Sequence, residues 1–355
     1  MQQQTQKIDF TGTKLFIGID VHKNSWKVTV RTRDMELKTF SMNPSPVELA
    51  KHLTKNYPNA QYCSVYEAGF CGFWIHRELV KLGIDNIVIN PADVPTTHKE
   101  KRRRTDKVDS RKLARELSDG SSLHAIFVPS KEQDAIKAIS RRRRQIRKRI
   151  TQIQNRTKQF LHNRGIHLPE RSEMSHWSGK FIHWLDSLEF EQKFDRYYLD
   201  SQLIDLKNER AQMLAILRQM RMHTKDTPTI EYLKTVVGIG LVTAFTFYAE
   251  VADIKRFKKF DNLASFLGLV PDTDSSGEDN RTTGITKRYQ RHLRYLLVEA
   301  AWTAVRKDPA LTMAYENFKK TNSSQKAIIK ITKKLVNRMR YVWLNQTEYE
   351  TSIVE

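Results

Sequence analysis

Four acidic residues stand where carboxylates can act together. Asp20 closes the apolar run Lys14-Leu15-Phe16-Ile17-Gly18-Ile19-Asp20, and Glu67 closes a second strand-like run from Gln61. Asp106 and Asp109 lie three apart at the start of a helical segment, so they share one face of it. In a mixed sheet, acids at the ends of neighbouring strands point to one edge, and a helix packed beside that edge adds two more. Four carboxylates gathered there repel one another unless cations lie between them. Two Mg²⁺ ions about 3.5–4 Å apart, clamping a phosphodiester, are the usual use of such a cluster. Taken singly, each acid reads equally well as a turn former or as a residue that favours a helix N-terminus. Their order along the chain and their strongly basic setting make the set.

The elements that must position them follow from the pattern of apolar residues. Residues 14–20, 26–32 and 37–42 read as three short strands in a meander. A helix over 45–55 opens with Ser45-Pro46 and carries Glu48 as its capping-box acid. A strand at 61–67, a helix at about 71–82, a strand at 86–90 and a helix from near Asp106, with Leu113, Ala114 and Leu117 on one face, complete a mixed sheet flanked by helices. This first domain spans 1–128. Beyond it, Ile136, Ile139, Ile146, Ile150, Ile153 and Phe160 recur at helical spacing, as do Leu199, Leu203, Leu206, Met213, Leu214 and Leu217. These predict two long amphipathic helices in a coiled-coil hairpin, with a tip over 164–190, within a central region 129–226. Residues 227–346 read as a helical domain in which Val237-Gly238-Ile239-Gly240 resembles a helix-hairpin-helix turn and 271–283 is polar and turn-rich. A frayed tail covers 347–355. The fold class is therefore α/β plus α.

The charge balance narrows the partners. The 355 residues carry 61 Lys+Arg against 40 Asp+Glu, a formal charge of +21, which favours polyanions. No run approaches the ~18 consecutive apolar residues of a membrane span, and the polar N-terminus shows no signal peptide. The expectation is a cytoplasmic, nucleoid-associated protein that keeps away from membranes. Two cysteines, Cys63 and Cys71, make neither a disulfide framework nor a zinc pattern. Basic residues concentrate at Lys101, Arg102, Arg103 and Arg104, beside two of the acids, and at Arg141, Arg142, Arg143 and Arg144 on the first long helix. Such runs suit phosphate contacts, which position nucleic acid without reading its bases.

Gly18-Ile19-Asp20-Val21-His22-Lys23, the strand-end Glu67, and Thr105-Asp106-Lys107-Val108-Asp109-Ser110-Arg111-Lys112 resemble the DEDD transposases of the insertion-sequence-110 family, of the RNA-guided bridge recombinase type. The resemblance implies an N-terminal ribonuclease-H-like (RuvC-like) domain and assigns Asp20, Glu67, Asp106 and Asp109 as a metal-binding catalytic tetrad for two Mg²⁺, with Mn²⁺ as an alternative. Gly268-Leu269-Val270-Pro271 to Ser275-Ser276-Gly277, then Gly284-Ile285-Thr286-Lys287 and His292-Leu293-Arg294, resemble the same family's C-terminal transposase domain. They imply a serine nucleophile that joins covalently to DNA. Ser275 matches best and Ser276 is the second candidate; Lys287 and Arg294 join the nucleic-acid contacts. The chain departs from the family where Glu278 replaces a second glycine and where Arg288-Tyr289-Gln290 follows the lysine.

The implied protein cuts and rejoins donor and target DNA, guided by a structured non-coding RNA of its element, as a dimer that becomes a tetramer on DNA. Two other readings stand beside it. One is a metal-only junction resolvase or nuclease in which the serine is inert. The other is a nucleic-acid-binding protein without catalysis.

Overall fold

The computed structural model describes residues 9–93, 106–120, 123–276, 279–285 and 289–351; for 106–108, 271–276 and 279–285 it describes the backbone alone. The chain divides into two compact units, Met1–Val128 and Pro129–Glu355.

The first unit is a mixed five-stranded sheet. Strands β1 (Lys14–Val21), β2 (Trp26–Arg31) and β3 (Glu36–Met42) form the antiparallel meander. Helix α1 (Pro46–Asn56) follows, opened as the sequence predicts: the Ser45 hydroxyl accepts from the Glu48 N–H and Pro46 takes the first helical position. Strand β4 (Gln61–Glu67) then lies parallel to β1. After helix α2 (Trp74–Lys81), β5 (Asp85–Ile89) lies parallel to β4, giving the order β3-β2-β1-β4-β5. Leu15, Ile17 and Ile19, alternate residues of β1, pack on one face with Leu49, Leu53 and Leu79 of α1 and α2. Helix α3 (Asp106–Ser118) covers the other face, where Leu113 meets Val65 and Ile89. An antiparallel meander followed by two parallel strands, with helices on both faces, is consistent with the ribonuclease-H-like domain that the resemblance implies.

The seat of α3 is unusually close. A Cβ on Gly18 would lie 2.1 Å from the Ser110 carbonyl oxygen and 2.5 Å from the Ala114 nitrogen. No side chain fits there, so β1 must be glycine at the crossing. Two further contacts fix the helix. The buried hydroxyls of Thr29 and Ser110 are 3.0 Å apart, and Arg111 donates from both Nε and Nη2 to Glu36 Oε1, at 3.0 and 2.8 Å.

The second unit is helical apart from one small sheet. Helices α4 (Lys131–Asn163) and α6 (Lys193–Lys225) pair along their length, with α5 (Gly179–Asp186) between them in sequence. Their pairing is antiparallel: Arg142 donates to Gln212, Arg149 to Glu209 and Arg164 to Asp195. Phe181, Leu185, Leu161, Leu199 and Leu203 close the end that carries α5. A capping box that the sequence reading missed starts α4, with Ser130 and Gln133 bonding each other's backbone N–H.

Helices α7 (Pro228–Thr235), α8 (Leu241–Val251), α9 (Phe260–Phe266), α10 (Arg291–Val305), α11 (Pro309–Lys319) and α12 (Ser324–Asn345) surround one large apolar core. The turn between α7 and α8 holds Gly238 at φ +87°, where a Cβ would meet the Ala300 carbonyl oxygen of α10 at 2.5 Å. Of the tail at 347–355, Tyr349 donates its N–H to the Thr235 hydroxyl and lies with its own hydroxyl 3.4 Å from buried Asp308. The turn-rich reading of 271–283 needs correction. There the backbone forms an antiparallel pair, β6 (Pro271–Ser276) and β7 (Asp279–Ile285). Apart from Pro271, Gly284 and Ile285 its residues are Thr, Asp, Ser, Asn and Arg, with no alternating apolar face, so a period-two signal is missing although the ladder forms.

At the start of α10, His292 lies within the electrostatic reach of Arg143 and Arg144 of α4 and Glu250 of α8. Burial first, then the two guanidinium charges, push its pKa down to about 4, against the opposing pull of Glu250. Glu250 is itself buried and paired with Lys137 at 3.2 Å and Arg141 at 3.0 Å.

Two measurements check these contacts. Gly18→Ala should lower stability by about 3 kcal/mol through overpacking, seen as a lower thermal midpoint. Gly179→Ala, where nothing lies within 4 Å of the added carbon, should leave the midpoint almost unchanged. For His292, the unfolded chain takes up a proton near pH 6.5 that the folded chain refuses until about pH 4. The stability held by the neutral ring is therefore complete above pH 6.5 and lost as pH falls toward 4. Urea midpoints at pH 7 and pH 5 should differ less in His292→Gln than in the parent chain.

Candidate active site

The strand ends bring the first two acids together because β1 and β4 are parallel neighbours. Ile19 is paired with Tyr66, and the next residue of each strand is an acid, Asp20 and Glu67. Helix α3, seated on Gly18, adds Asp109. Asp20, Glu67 and Asp109 line one cleft of about 140 Å³, walled also by Phe70, Cys71 and Leu113. Asp106 is the first residue of α3, one helical turn before Asp109; its side chain lies outside the described residues. Asp20 Oδ2 is 3.2 Å from His22 Nε2.

Three carboxylates lining one cleft are a hard-oxygen donor set, which suits Mg²⁺ or Mn²⁺ rather than a thiophilic metal. Among the described residues no group of three or more His, Cys, Asp or Glu stands close enough together to hold a metal ion, and the Asp106 side chain is not among them. Cys71 belongs to the cleft wall, and burial pushes its thiol pKa up, so it stays protonated and is a poor nucleophile.

The serine candidates lie on the β6–β7 pair. Ser275 pairs with Asn280 and Ser276 with Asp279, next to Gly277-Glu278 in sequence. The two ends of this hairpin are clamped by residues that the sequence reading assigned no role. Gly268, at φ +68°, has no room for a Cβ because the Tyr289 ring would lie 2.4 Å from it. The Arg294 guanidinium sits 5.0 Å from the centre of the same ring. Tyr289 is one of the departures from the family pattern, and it fills the space over the glycine that precedes the hairpin.

The basic candidates divide. Lys101, Arg102, Arg103, Arg104 and Lys287 lie outside the described residues. Arg141 is held by Glu250, Arg142 donates to Gln212, and Arg294 stacks on Tyr289. Arg143 is mostly withdrawn from solvent; burial, then the charge of Arg147, lowers its pKa. With Arg147 and Arg210 it edges a groove of about 530 Å³ floored by Ile150, Met213 and Leu217. Arg144 is exposed. Partners such as Glu250 stand far from the arginines in sequence, so no local signal could have shown which charges are already matched. The signal for the seat of α3 was present: a glycine inside a strand marks a close backbone approach. Among the described residues no helix is long and apolar enough to cross a membrane.

Comparison with known proteins fits this arrangement. A family model described as a transposase, the DEDD type of IS110 elements, matches residues 17–164, which contain all four acids. A second, described as transposase of the IS116/IS110/IS902 family, matches residues 230–316, which contain Ser275 and Arg294. The chain is 29% identical over 294 residues to a protein named transposase y4qE of Sinorhizobium fredii, covering 81% of this chain and 71% of that one. It is 24% identical over 297 residues to the transposase for insertion sequence element IS1533 of Leptospira borgpetersenii, covering 81% and 85%. A third relative, the transposase for insertion sequence element IS1111A of Coxiella burnetii, is 25% identical over 245 residues, 69% of this chain and 66% of the relative. With both transposase domains matched in order along one chain, the protein belongs to the IS116/IS110/IS902 family of insertion-sequence transposases.

Proposed function

We propose that this transposase cuts and rejoins DNA with Ser275 as the nucleophile and with divalent cations held by Asp20, Glu67, Asp106 and Asp109. The observation that carries the reading is the single cleft shared by Asp20, Glu67 and Asp109. Three carboxylates lining one cleft supply oxygen donors for cations, and bound cations would relieve their mutual repulsion. Divalent-metal dependence goes with the DEDD transposase domain, and Mg²⁺ fits the oxygen donors. When bound, such ions polarise phosphate oxygens and stabilise charge on the departing oxygen.

The chain's own residues do the rest. The Ser275 oxygen forms a bond to phosphorus as its proton leaves, and one ester oxygen of the strand departs with a proton as a free hydroxyl. The phosphoserine link conserves the ester, so a second strand's hydroxyl can attack it, reform a phosphodiester and release the serine. No His–Asp pair accompanies Ser275 in the sequence, so activation falls to the charged surroundings of the phosphate. Ser276 is the second candidate for the same role.

Basic residues hold the nucleic acid around this chemistry. Lys101, Arg102, Arg103 and Arg104 precede the α3 acids in sequence, and Arg143 and Arg144 lie on α4. Donor and target are both DNA, and a non-coding RNA of the element selects them by base pairing. Exchange between two duplexes needs more than one set of active residues. A dimer through the long helices α4 and α6, doubling to a tetramer on DNA, meets that need. Residues 1–128, 129–226 and 227–346 then serve as catalytic, assembly and transposase domains.

Strand transfer and covalent adducts on denaturing gels test the mechanism together. Asp20→Asn should lower both by roughly 100-fold or more, the loss of several kcal/mol of charge stabilisation. Ser275→Ala should abolish the protein–DNA adduct and strand transfer. Strand transfer that survives Ser275→Ala but not Asp20→Asn would replace the covalent mechanism with a metal-only nuclease.

A further inference from the structure

The loop that follows Glu67 exposes two large aromatic rings. Phe70 is 64% exposed and Trp74 47%. The loop itself is tied down at several points. The Ala68 N–H donates to the Ile89 carbonyl at 2.8 Å, and the Gly72 N–H to the Gly69 carbonyl at 3.2 Å. The Tyr66 hydroxyl donates to the Gly72 carbonyl at 3.1 Å and accepts from the His76 N–H at 3.3 Å. Burial pushes the Tyr66 pKa up, so that hydroxyl keeps the proton it donates. Phe73, between the two exposed rings, packs into the core of the sheet, and Ile75 is buried. The backbone is thus fixed with apolar neighbours turned in and Phe70 and Trp74 turned out. Their exposure is held in place rather than left over from slack chain.

Phe70 also walls the cleft that holds Asp20, Glu67 and Asp109. That cleft, of about 140 Å³, is where the proposed function seats a phosphate and its cations. The base attached to such a phosphate must lie outside, at the rim, where the Phe70 ring stands. A rigid aromatic ring beside a phosphate site offers the sequence-tolerant stacking surface that single-stranded nucleic acid uses. An apolar side chain of a protein partner would fit a bare aromatic patch, but it has no reason to seek three carboxylates. A nucleotide brings the phosphate for the acids and the π face for the ring on one short tether.

We infer that Phe70, flanked by Trp74, is a stacking ledge for an unpaired nucleobase on the strand whose phosphate is held at Asp20, Glu67 and Asp109. The inference rests on the proposed role of those acids. It adds that the strand is engaged with its base out of the duplex stack, so unpaired DNA is the preferred form at this cleft.

Photocrosslinking of the full-length chain tests it. The probe is a short single-stranded oligonucleotide carrying 5-iododeoxyuridine, with Ca²⁺ in place of Mg²⁺ and at elevated salt to screen phosphate attraction. The crosslink should map to the peptide that contains Phe70. Phe70→Ala should lose that crosslink and bind the oligonucleotide about tenfold more weakly, the effect of one aromatic–base stack. Phe70→Tyr, which keeps the ring, should restore both. A crosslink confined to other peptides, or unchanged affinity in Phe70→Ala, overturns the ledge while acid-dependent cleavage still stands. DNA cleavage that is indifferent to Asp20→Asn overturns the reading of the acids, and the ledge with it.

Discussion

The contact between Gly18 and helix α3 is the constraint on which the first unit depends. A strand interior is a poor place for glycine, which costs about 0.5–1 kcal/mol there relative to alanine. The return is an approach of helix backbone to strand backbone that any Cβ would forbid. Ser110 turns into that contact and bonds Thr29, while the preceding residue, Asp109, reaches the cleft beside Asp20. Arg111 then anchors the outer side of the helix to Glu36 on β3. Three successive residues of one turn therefore serve the site, the core and the edge of the sheet. The distance between the acids is set by how closely two backbones touch, not by the acids themselves.

Much of this was legible in the sequence. Alternation in β1 and β2, and helical spacing in α1, α4 and α6, come from apolar residues that must share a face, and those faces are largely buried, with Ile139 of α4 and Leu214 of α6 left exposed. Asp20 and Glu67 were legible for the same reason, since an acid that ends an apolar strand marks a sheet edge. What stayed hidden was held by other means. The β6–β7 pair is a backbone ladder, and Gly268 and Tyr289, on either side of it in sequence, meet through a close approach; neither leaves a pattern of apolar residues. Ion pairs such as Arg141–Glu250 join residues 109 apart in sequence, and no local spacing announces them.

Those pairs change how the positive charge of the chain should be understood. A run such as Arg141-Arg142-Arg143-Arg144 reads as one uniform patch. In the fold, its members have separate tasks. Arg141 neutralises a buried glutamate together with Lys137, and Arg142 fixes the register of α4 on α6. Arg143 edges the groove between these two helices, and Arg144 remains exposed. Some of the 61 Lys and Arg side chains are thus structural and match the chain's own acids, while the net excess of +21 is carried by the others.

The helix pair has a consequence in length. Each of α4 and α6 runs for 33 residues, or about 50 Å at 1.5 Å per residue. Side-chain bonds at Arg142, Arg149 and Arg164 lock the two in one register, so the pair acts as a rod of fixed reach. At 3.4 Å per base pair, that reach is about fifteen base pairs of duplex. Groups at the two ends of the rod cannot share a phosphate. Laid beside a duplex, that separation would equal about one and a half helical turns.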